Sequence, residues 1–203
     1  MPTLDFWYDF ASTYSYLSAM RIGRAAAACG VTVRYRPFLL GPIFAAQGWT
    51  TSPFNLLPAK GAHMWRDMER LCARARLPFR RPDPFPQNSV LAARLALVGL
   101  DEGWGERFTE TVFAAEFGRG LDISSRETLG GLLRPLGLDP EDTIERALAR
   151  SNKERLRIQT ARAQETGIFG APSFVTEGGE LFWGDDRLDQ ALEWAVAELQ
   201  SRR

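Results

Sequence analysis

This sequence predicts an α/β fold in which one mixed sheet is assembled from the two ends of the chain, with a large all-helical insertion between them. Three observations carry the prediction. A strand–helix–strand pattern fills residues 1–40, helical periodicity dominates up to about Glu165, and strand character returns only after Gly167.

Taken in order, Leu4-Asp5-Phe6-Trp7-Tyr8-Asp9-Phe10 is a short, aromatic-rich run and reads as a mostly buried first strand. Ser12 to Cys29 reads as one helix, capped by Ser12 and ended by Gly30. Val31 to Tyr35 alternates apolar and polar residues and gives a second strand, parallel to the first across a right-handed crossover. Gly41 to Pro58, rich in Gly, Pro, Thr and Ser, reads as a long loop, and long loops in compact domains point toward function. Met64, Met68, Leu71 or Cys72, and Ala75 then form one helical stripe before Pro78. Beyond the stiff Arg81-Pro-Asp-Pro-Phe-Pro connector, Asn88 or Ser89 caps a helix carrying Leu91, Leu95 and Val98. Further helices follow over Glu106–Gly118 and Ser124–Leu133, the latter with Glu127 completing a capping box. Asp139 and Pro140 start the next, whose continuation stops at Gly167.

Ser173-Phe-Val-Thr and Glu180-Leu-Phe-Trp, joined by Glu177-Gly178-Gly179, read as a hairpin. A closing amphipathic helix bears Leu188, Leu192, Ala195 and Leu199, with Asp185 or Asp186 as its expected cap. The outline βαβ, helical block, ββα is that of a thioredoxin fold with a helical insertion. Residues 1–40 and 167–203 form the discontinuous thioredoxin-like part; residues 41–166 form the connecting loop, the insertion and the returning helix.

Composition narrows the function. With 25 acidic and 25 basic residues the chain has no global basic field for nucleic acid. No apolar run is long enough to span a bilayer, and no secretory leader is visible at the N-terminus. The two cysteines, Cys29 and Cys72, have neither metal nor redox spacing, and a single histidine, His63, argues against a zinc site. The expected setting is reduced and cytoplasmic.

The residues that bear chemistry cluster in four stretches. In Ser12-Thr13-Tyr14-Ser15, serines stand where thioredoxin-like redox proteins carry Cys-x-x-Cys. Disulfide exchange needs a thiolate nucleophile, so these hydroxyls exclude it. Ser12 is either a plain cap or a donor to the thiolate of a bound thiol, whose pKa the helix start would lower. In Gly167-Ile-Phe-Gly-Ala171-Pro172, the proline before a strand is a candidate cis peptide. Such a bond would leave the backbone N–H and C=O of Ala171 free for an extended peptide. Trp183-Gly184-Asp185-Asp186-Arg187 offers either caps or an acidic partner for an α-amino group. The loop with Trp49, Thr50, Thr51 and Asn55, leading to Lys60, His63 and Trp65, offers a cationic, aromatic wall, with His63 read as structural or surface.

Together these motifs resemble the 2-hydroxychromene-2-carboxylate isomerases and the related kappa-class glutathione transferases. The likeness rests on Phe6-Trp-Tyr-Asp-Phe-Ala-Ser12-x-Tyr-Ser15-Tyr-Leu, Leu57-Pro58-x-Lys60-Gly61-x-x-Met64, Gly167-x-Phe-Gly-x-Pro172 and Trp183-Gly-Asp-Asp186-Arg187. The resemblance implies a glutathione-dependent enzyme with Ser12 as catalytic serine. Glutathione would lie on Ala171 and Pro172, on Gly184, Asp185 and Asp186, and on Lys60. It implies a chromene carboxylate or other small aromatic substrate, isomerised to a trans benzylidenepyruvate during aromatic degradation, and a homodimer. Two departures stand out. Thr13 replaces the family's usual proline, and Trp49-Thr50-Thr51 follows Gly48 where relatives carry asparagine, so that contact passes to Thr51 or Asn55 or is lost. The alternatives are a transferase conjugating electrophiles and a non-catalytic peptide-binding module.

Overall fold

The first strand buries Leu4, Phe6 and Tyr8 on one face and Trp7 on the other, and this places it at the centre of the sheet. A computed structural model describes residues 1–201. In β1 (Thr3–Tyr8), Leu4, Phe6 and Tyr8 enter the main core, while Trp7 enters a second cluster with Phe38, Ile43, Ala163, Ile168 and Val175 on the opposite face. A strand buried on both sides reads as an apolar run, as this one does from Phe6 to Tyr8, while Asp5 pairs with Arg34 and Arg36 of the neighbouring strand. It pairs in parallel with β2 (Thr32–Pro37) and antiparallel with β3 (Ser173–Thr176), which in turn pairs with β4 (Leu181–Trp183). The sheet order is β2-β1-β3-β4, a four-stranded mixed thioredoxin-like sheet that joins the two ends of the chain.

The strand stops two residues earlier than expected. The Asp9 backbone carbonyl accepts the Ser12 N–H at 2.9 Å and its side chain accepts the Ala11 N–H at 3.0 Å, so the chain turns at once. The expected single helix over residues 12–29 is two, α1 (Thr13–Ala19) and α2 (Ile22–Cys29). The break falls at Arg21, whose guanidinium is drawn to Asp185 and Asp189 at the far end of the chain. No local signal announces that pairing. Seven residues of α1 give a smaller macrodipole than the longer helix promised.

The expected loop over residues 41–58 holds two short helices, α3 (Leu40–Ala46) and α4 (Pro53–Leu56). Pro42 and Pro53 lie in first turns, where a missing N–H costs nothing, so proline did not exclude helix here. The helix α5 (Pro58–Ala75) buries Gly61, Met64, Met68 and Cys72, the expected stripe with Cys72 rather than Leu71 as its fully buried member. Of the two expected caps of α6 (Val90–Glu102), Asn88 accepts the Val90 N–H at 3.0 Å, while the Ser89 hydroxyl is directed to Asp9 instead. The expected box of Ser124 and Glu127 moves by one residue: Ser125 caps α8 (Arg126–Leu133) by accepting the Thr128 N–H. Asp139 caps α9 (Pro140–Leu148) as its sequence indicates, and α10 (Arg150–Glu165) returns the chain to the sheet.

The last helix, α11 (Leu188–Ser201), is entered through a 3₁₀ turn at Asp185–Arg187 that has no side-chain cap. Neither Asp185 nor Asp186 serves as the expected cap. Among the described residues, no helix is long and apolar enough to cross a membrane.

Between α6 and α8, α7 (Gly105–Phe113) widens into a π-helical turn, Ala114–Gly118. Its Glu116 is fully buried and neither carboxylate oxygen has a hydrogen-bond partner. Burial first, then the charges of Asp9 and Asp122, hold this carboxyl well above the usual range. Folded chains therefore bind more protons here than unfolded ones, so this group's contribution falls as pH rises from the ordinary carboxylate range through the folded value. Glu116→Gln is expected to match the wild type in acid and exceed it at neutral pH. The gain should be about 1 kcal/mol or more, or about 2–4 °C in Tm at this size, checked by thermal unfolding across pH.

Candidate functional site

At the carboxyl end of β1, the turn that ends the strand delivers Ser12 in extended conformation as the N-cap of α1. Its Oγ accepts the Ser15 N–H at 3.2 Å and donates to the Ala171 carbonyl at 2.9 Å. The Ala171–Pro172 peptide is cis. The Pro172 carbonyl accepts the Gly184 N–H at 3.0 Å, which draws the start of the last helix against the start of β3. Gly184 has φ 106°, and a Cβ there would lie 2.5 Å from Asp186 Oδ1, so glycine is required at this turn.

Beneath the turn, the buried Asp9 carboxylate ties three walls together. It accepts the Ala11 N–H, the Leu40 N–H of α3 at 2.7 Å and the Ser89 hydroxyl before α6 at 2.6 Å. Burial pushes its carboxyl above the ordinary range, opposed by these three donors. Above it opens a cavity of about 1450 Å³, larger than the roughly 300–1,000 Å³ typical of a single small-molecule site. The cavity has room for a peptide-sized ligand beside a second, aromatic one. Ser12, Tyr14, Ala171, Gly184, Asp185 and Asp186 line one side; α3 and the following loop, with Phe44 and Trp49 tilted against each other at 5.7 Å, line the other.

The third wall is α5, which turns Lys60, His63, Asp67 and Leu71 toward the cavity. The spacing of three, four and four residues is one helical face, adjacent to the buried stripe. Lys60 Nζ stands 5.7 Å from the Phe54 ring centroid, a cation–π distance. Asp67 Oδ2 accepts the Tyr14 hydroxyl at 3.0 Å. Burial, and then this carboxylate and Asp186, push the Tyr14 phenol upward, so it stays neutral.

Seven of the nine residues expected to hold glutathione meet in this cavity: Ser12, Thr51, Lys60, Ala171, Gly184, Asp185 and Asp186. Two stand outside the lining. Asn55 Nδ2 donates to the Phe85 carbonyl at 3.1 Å and to Thr51 Oγ1 at 3.3 Å, so it braces the loop. Pro172 is buried, and the cavity meets Ala171 instead. The Ala171 carbonyl, expected to be free, holds the Ser12 hydroxyl. Asp185 is engaged as well: its Oδ1 accepts from Ser18 Oγ at 2.8 Å and Arg21 Nε at 3.0 Å, whereas Asp186 is exposed. Sequence reading quoted Asp9 and Tyr14 within motifs without giving them a role and did not name Asp67; His63, read as structural or surface, lines the cavity. The 60/63/67/71 spacing was the available signal.

The thiols lie elsewhere. Burial pushes the Cys72 thiol up to about 11, Cys29 is exposed on α2, and neither lines the cavity. The second hydroxyl of the motif, Ser15, is fully buried with its Oγ unpartnered.

Residues 3–194 match the model of a DSBA-like thioredoxin domain. The chain belongs to the DSBA-like thioredoxin domain family. Within that family, it is 30% identical over 188 residues to the 2-hydroxychromene-2-carboxylate isomerase of Sphingobium xenophagum, covering 92% of this chain and 94% of that one. Glutathione S-transferase kappa 1 of Caenorhabditis elegans is 26% identical over 200 residues, covering 92% and 88%. The solved structure of a 2-hydroxychromene-2-carboxylate isomerase superposes with a TM-score of 0.86 at 27% identity, covering 98% of this chain and 97% of that one.

Proposed function

We propose that the chain is a glutathione-dependent isomerase acting on 2-hydroxychromene-2-carboxylate or a close aromatic analogue. One observation carries this reading: a hydroxyl donor, Ser12, and a peptide acceptor, the Ala171 carbonyl, meet 2.9 Å apart on the wall of a cavity that no protein thiol lines. A thioredoxin-like site without its own sulfur suits a ligand that brings one. The relatives named as isomerases and kappa transferases support the same assignment.

The cavity's charges fit glutathione at both ends. Asp186, exposed and only 3.9 Å from its nearest cation Arg187, is available to the γ-glutamyl ammonium. Lys60, on the α5 wall, is available to a carboxylate. Thr51 and Ala171 line the same cavity. Asp185 supports the site by fixing α1 rather than by touching the ligand.

When bound, glutathione would be held by the Ala171 backbone, Lys60 and Asp186 and would supply a thiolate nucleophile for ring opening and isomerisation of the chromene carboxylate. Ser12 orients and stabilises that sulfur. Tyr14, kept neutral, shapes the wall beside it. The aromatic side formed by Phe44 and Trp49 receives the substrate ring and excludes water. A homodimer and a cytoplasmic setting accompany this reading.

The purified protein is expected to isomerise the chromene carboxylate only when glutathione is added. Equal rates without glutathione would contradict the mechanism. Turnover of chlorodinitrobenzene in place of the chromene would favour the transferase reading. Asp186→Ala should leave stability within about 0.5 kcal/mol of wild type and weaken glutathione binding about tenfold. Asp185→Ala should instead lower Tm, since it strands the Ser18 hydroxyl and removes one of the partners of Arg21. Thermal unfolding and calorimetry separate the two.

A further inference from the structure

Two stretches that line the cavity, within residues 39–54 and 85–90, hold no Lys, Arg, His, Asp or Glu. Phe44, Trp49, Phe54 and Phe85 give them aromatic surface, and Gln47 and Asn88 give them neutral polar groups. The cations of the lining stand on other elements, Lys60 and His63 on α5 and Arg187 at the start of the last helix. Lys60 is already assigned to glutathione, and Arg187 lies 3.9 Å from Asp186. The ionisable group bonded to both stretches is Asp9, a carboxyl, which attracts no anion.

A helix start can receive an anion without any cation, and three helices begin in these stretches. The first available N–H of each is already bonded. In α3 the Leu40 N–H goes to Asp9 at 2.7 Å, and in α4 the Phe54 N–H goes to Ser52 Oγ at 3.3 Å. In α6 the Val90 N–H goes to Asn88 Oδ1 at 3.0 Å. A carboxylate set against these walls would lose its water and gain neither a counter-charge nor these donors. Burying a charge without a partner costs far more than burying a neutral ester or ketone.

We propose that the second substrate is uncharged where it meets these walls: an aromatic ester, ketone or aldehyde in preference to an aromatic carboxylate. This rests on the glutathione reading above and selects among the chromene analogues that it allows. Charge then sorts the two ligands. The anionic tripeptide takes the side of the cavity where Lys60 stands, and the neutral ring takes the side that has no charge.

The matched pair for the test is 2-hydroxychromene-2-carboxylate and its methyl ester, each assayed with saturating glutathione. Dividing kcat/KM by the rate of the same compound with free glutathione removes the difference in intrinsic reactivity. The ester is expected to lead in this ratio by about tenfold or more, the cost of one poorly paired carboxylate. Thr50 is exposed and lines the uncharged wall, so Thr50→Lys adds the missing cation without entering the core. It should narrow the ester's lead by about fivefold, the scale of one exposed ion pair. A wild type that prefers the carboxylate, or treats the two alike, overturns the inference and leaves the glutathione site standing. So does a Thr50→Lys variant whose preference stays where it was. If glutathione accelerates neither compound on the enzyme, the glutathione reading falls and the inference falls with it.

Discussion

Ser12→Ala is expected to lower kcat by roughly a hundred- to a thousandfold, the cost of removing one preorganised donor from a developing or stabilised anion. The structure separates this loss from a folding effect. As N-cap, the Ser12 side chain accepts one backbone N–H, and its removal costs about 1 kcal/mol of stability. As donor, it bonds the Ala171 carbonyl at 2.9 Å, a contact whose loss adds about 1 kcal/mol. Ser12→Gly should therefore unfold about 1 kcal/mol below the wild type and be nearly as inactive as alanine. Ser12→Cys makes a complementary case: it places a protein thiol beside Ala171, with fully buried Ser15 where a redox motif has its second cysteine. One thiol lacks the resolving partner of a disulfide exchanger, so sustained oxidoreductase turnover is not expected from that change alone. Steady-state rates at saturating glutathione, measured beside thermal unfolding, check the set.

Asp9→Ala is expected to be the most destabilising single change at the site. It strands the Ala11 N–H, the Leu40 N–H and the Ser89 hydroxyl, all held by one buried carboxylate. Each buried donor without a partner costs about 1–3 kcal/mol, so the sum, about 3–9 kcal/mol, is a large fraction of a typical folding free energy. The loss is local in its consequences as well. Leu40 opens α3, which carries Phe44 in the cavity wall, and Ser89 precedes α6. Asp9→Asn, which keeps an acceptor oxygen but turns an amide NH₂ toward a donor, should fall between wild type and alanine. Denaturant midpoints rank the three. Burial holds the Asp9 carboxyl above its ordinary range, so the charged form is favoured less in the folded state than in the unfolded one. Its linked contribution to stability therefore falls as pH rises from the ordinary carboxylate range through the folded value, the same sign as for Glu116.

The parts of this fold that were legible from sequence are those decided by neighbours in the chain. The apolar run Leu4–Tyr8, the Glu177-Gly178-Gly179 turn and the Asp139-Pro140 start all appear where local chemistry puts them. So does the cis bond before Pro172, in its setting before β3. What was not legible depends on partners far away in sequence. Arg21 breaks the first helix for Asp185, 164 residues on, and Ser89 abandons its cap for Asp9, 80 residues back. Proline and glycine between residues 41 and 58 looked like loop, because first-turn prolines carry the same local signal as turn prolines.

The candidate site shows the same division. Ser12 and Ala171 could each be named from their own motifs, but their mutual hydrogen bond needs the third dimension. Asp185 and Asp186 are adjacent and chemically identical. Only the packing of Arg21 and Ser18 distinguishes the structural carboxylate from the exposed one. Lys60, His63 and Asp67 were within reach as a helical face, yet the stronger Met64–Met68–Cys72 core stripe beside them drew the reading inward.

The central claim is that the sulfur at this site comes from the ligand and is received by Ser12. A crystal of the protein soaked with glutathione tests it most directly. The account predicts the glutathione sulfur within hydrogen-bond reach of Ser12 Oγ, with the cysteinyl N–H on the Ala171 carbonyl. Glutathione seated elsewhere in the cavity, with the Ser12 hydroxyl still on Ala171 and no sulfur beside it, would contradict it.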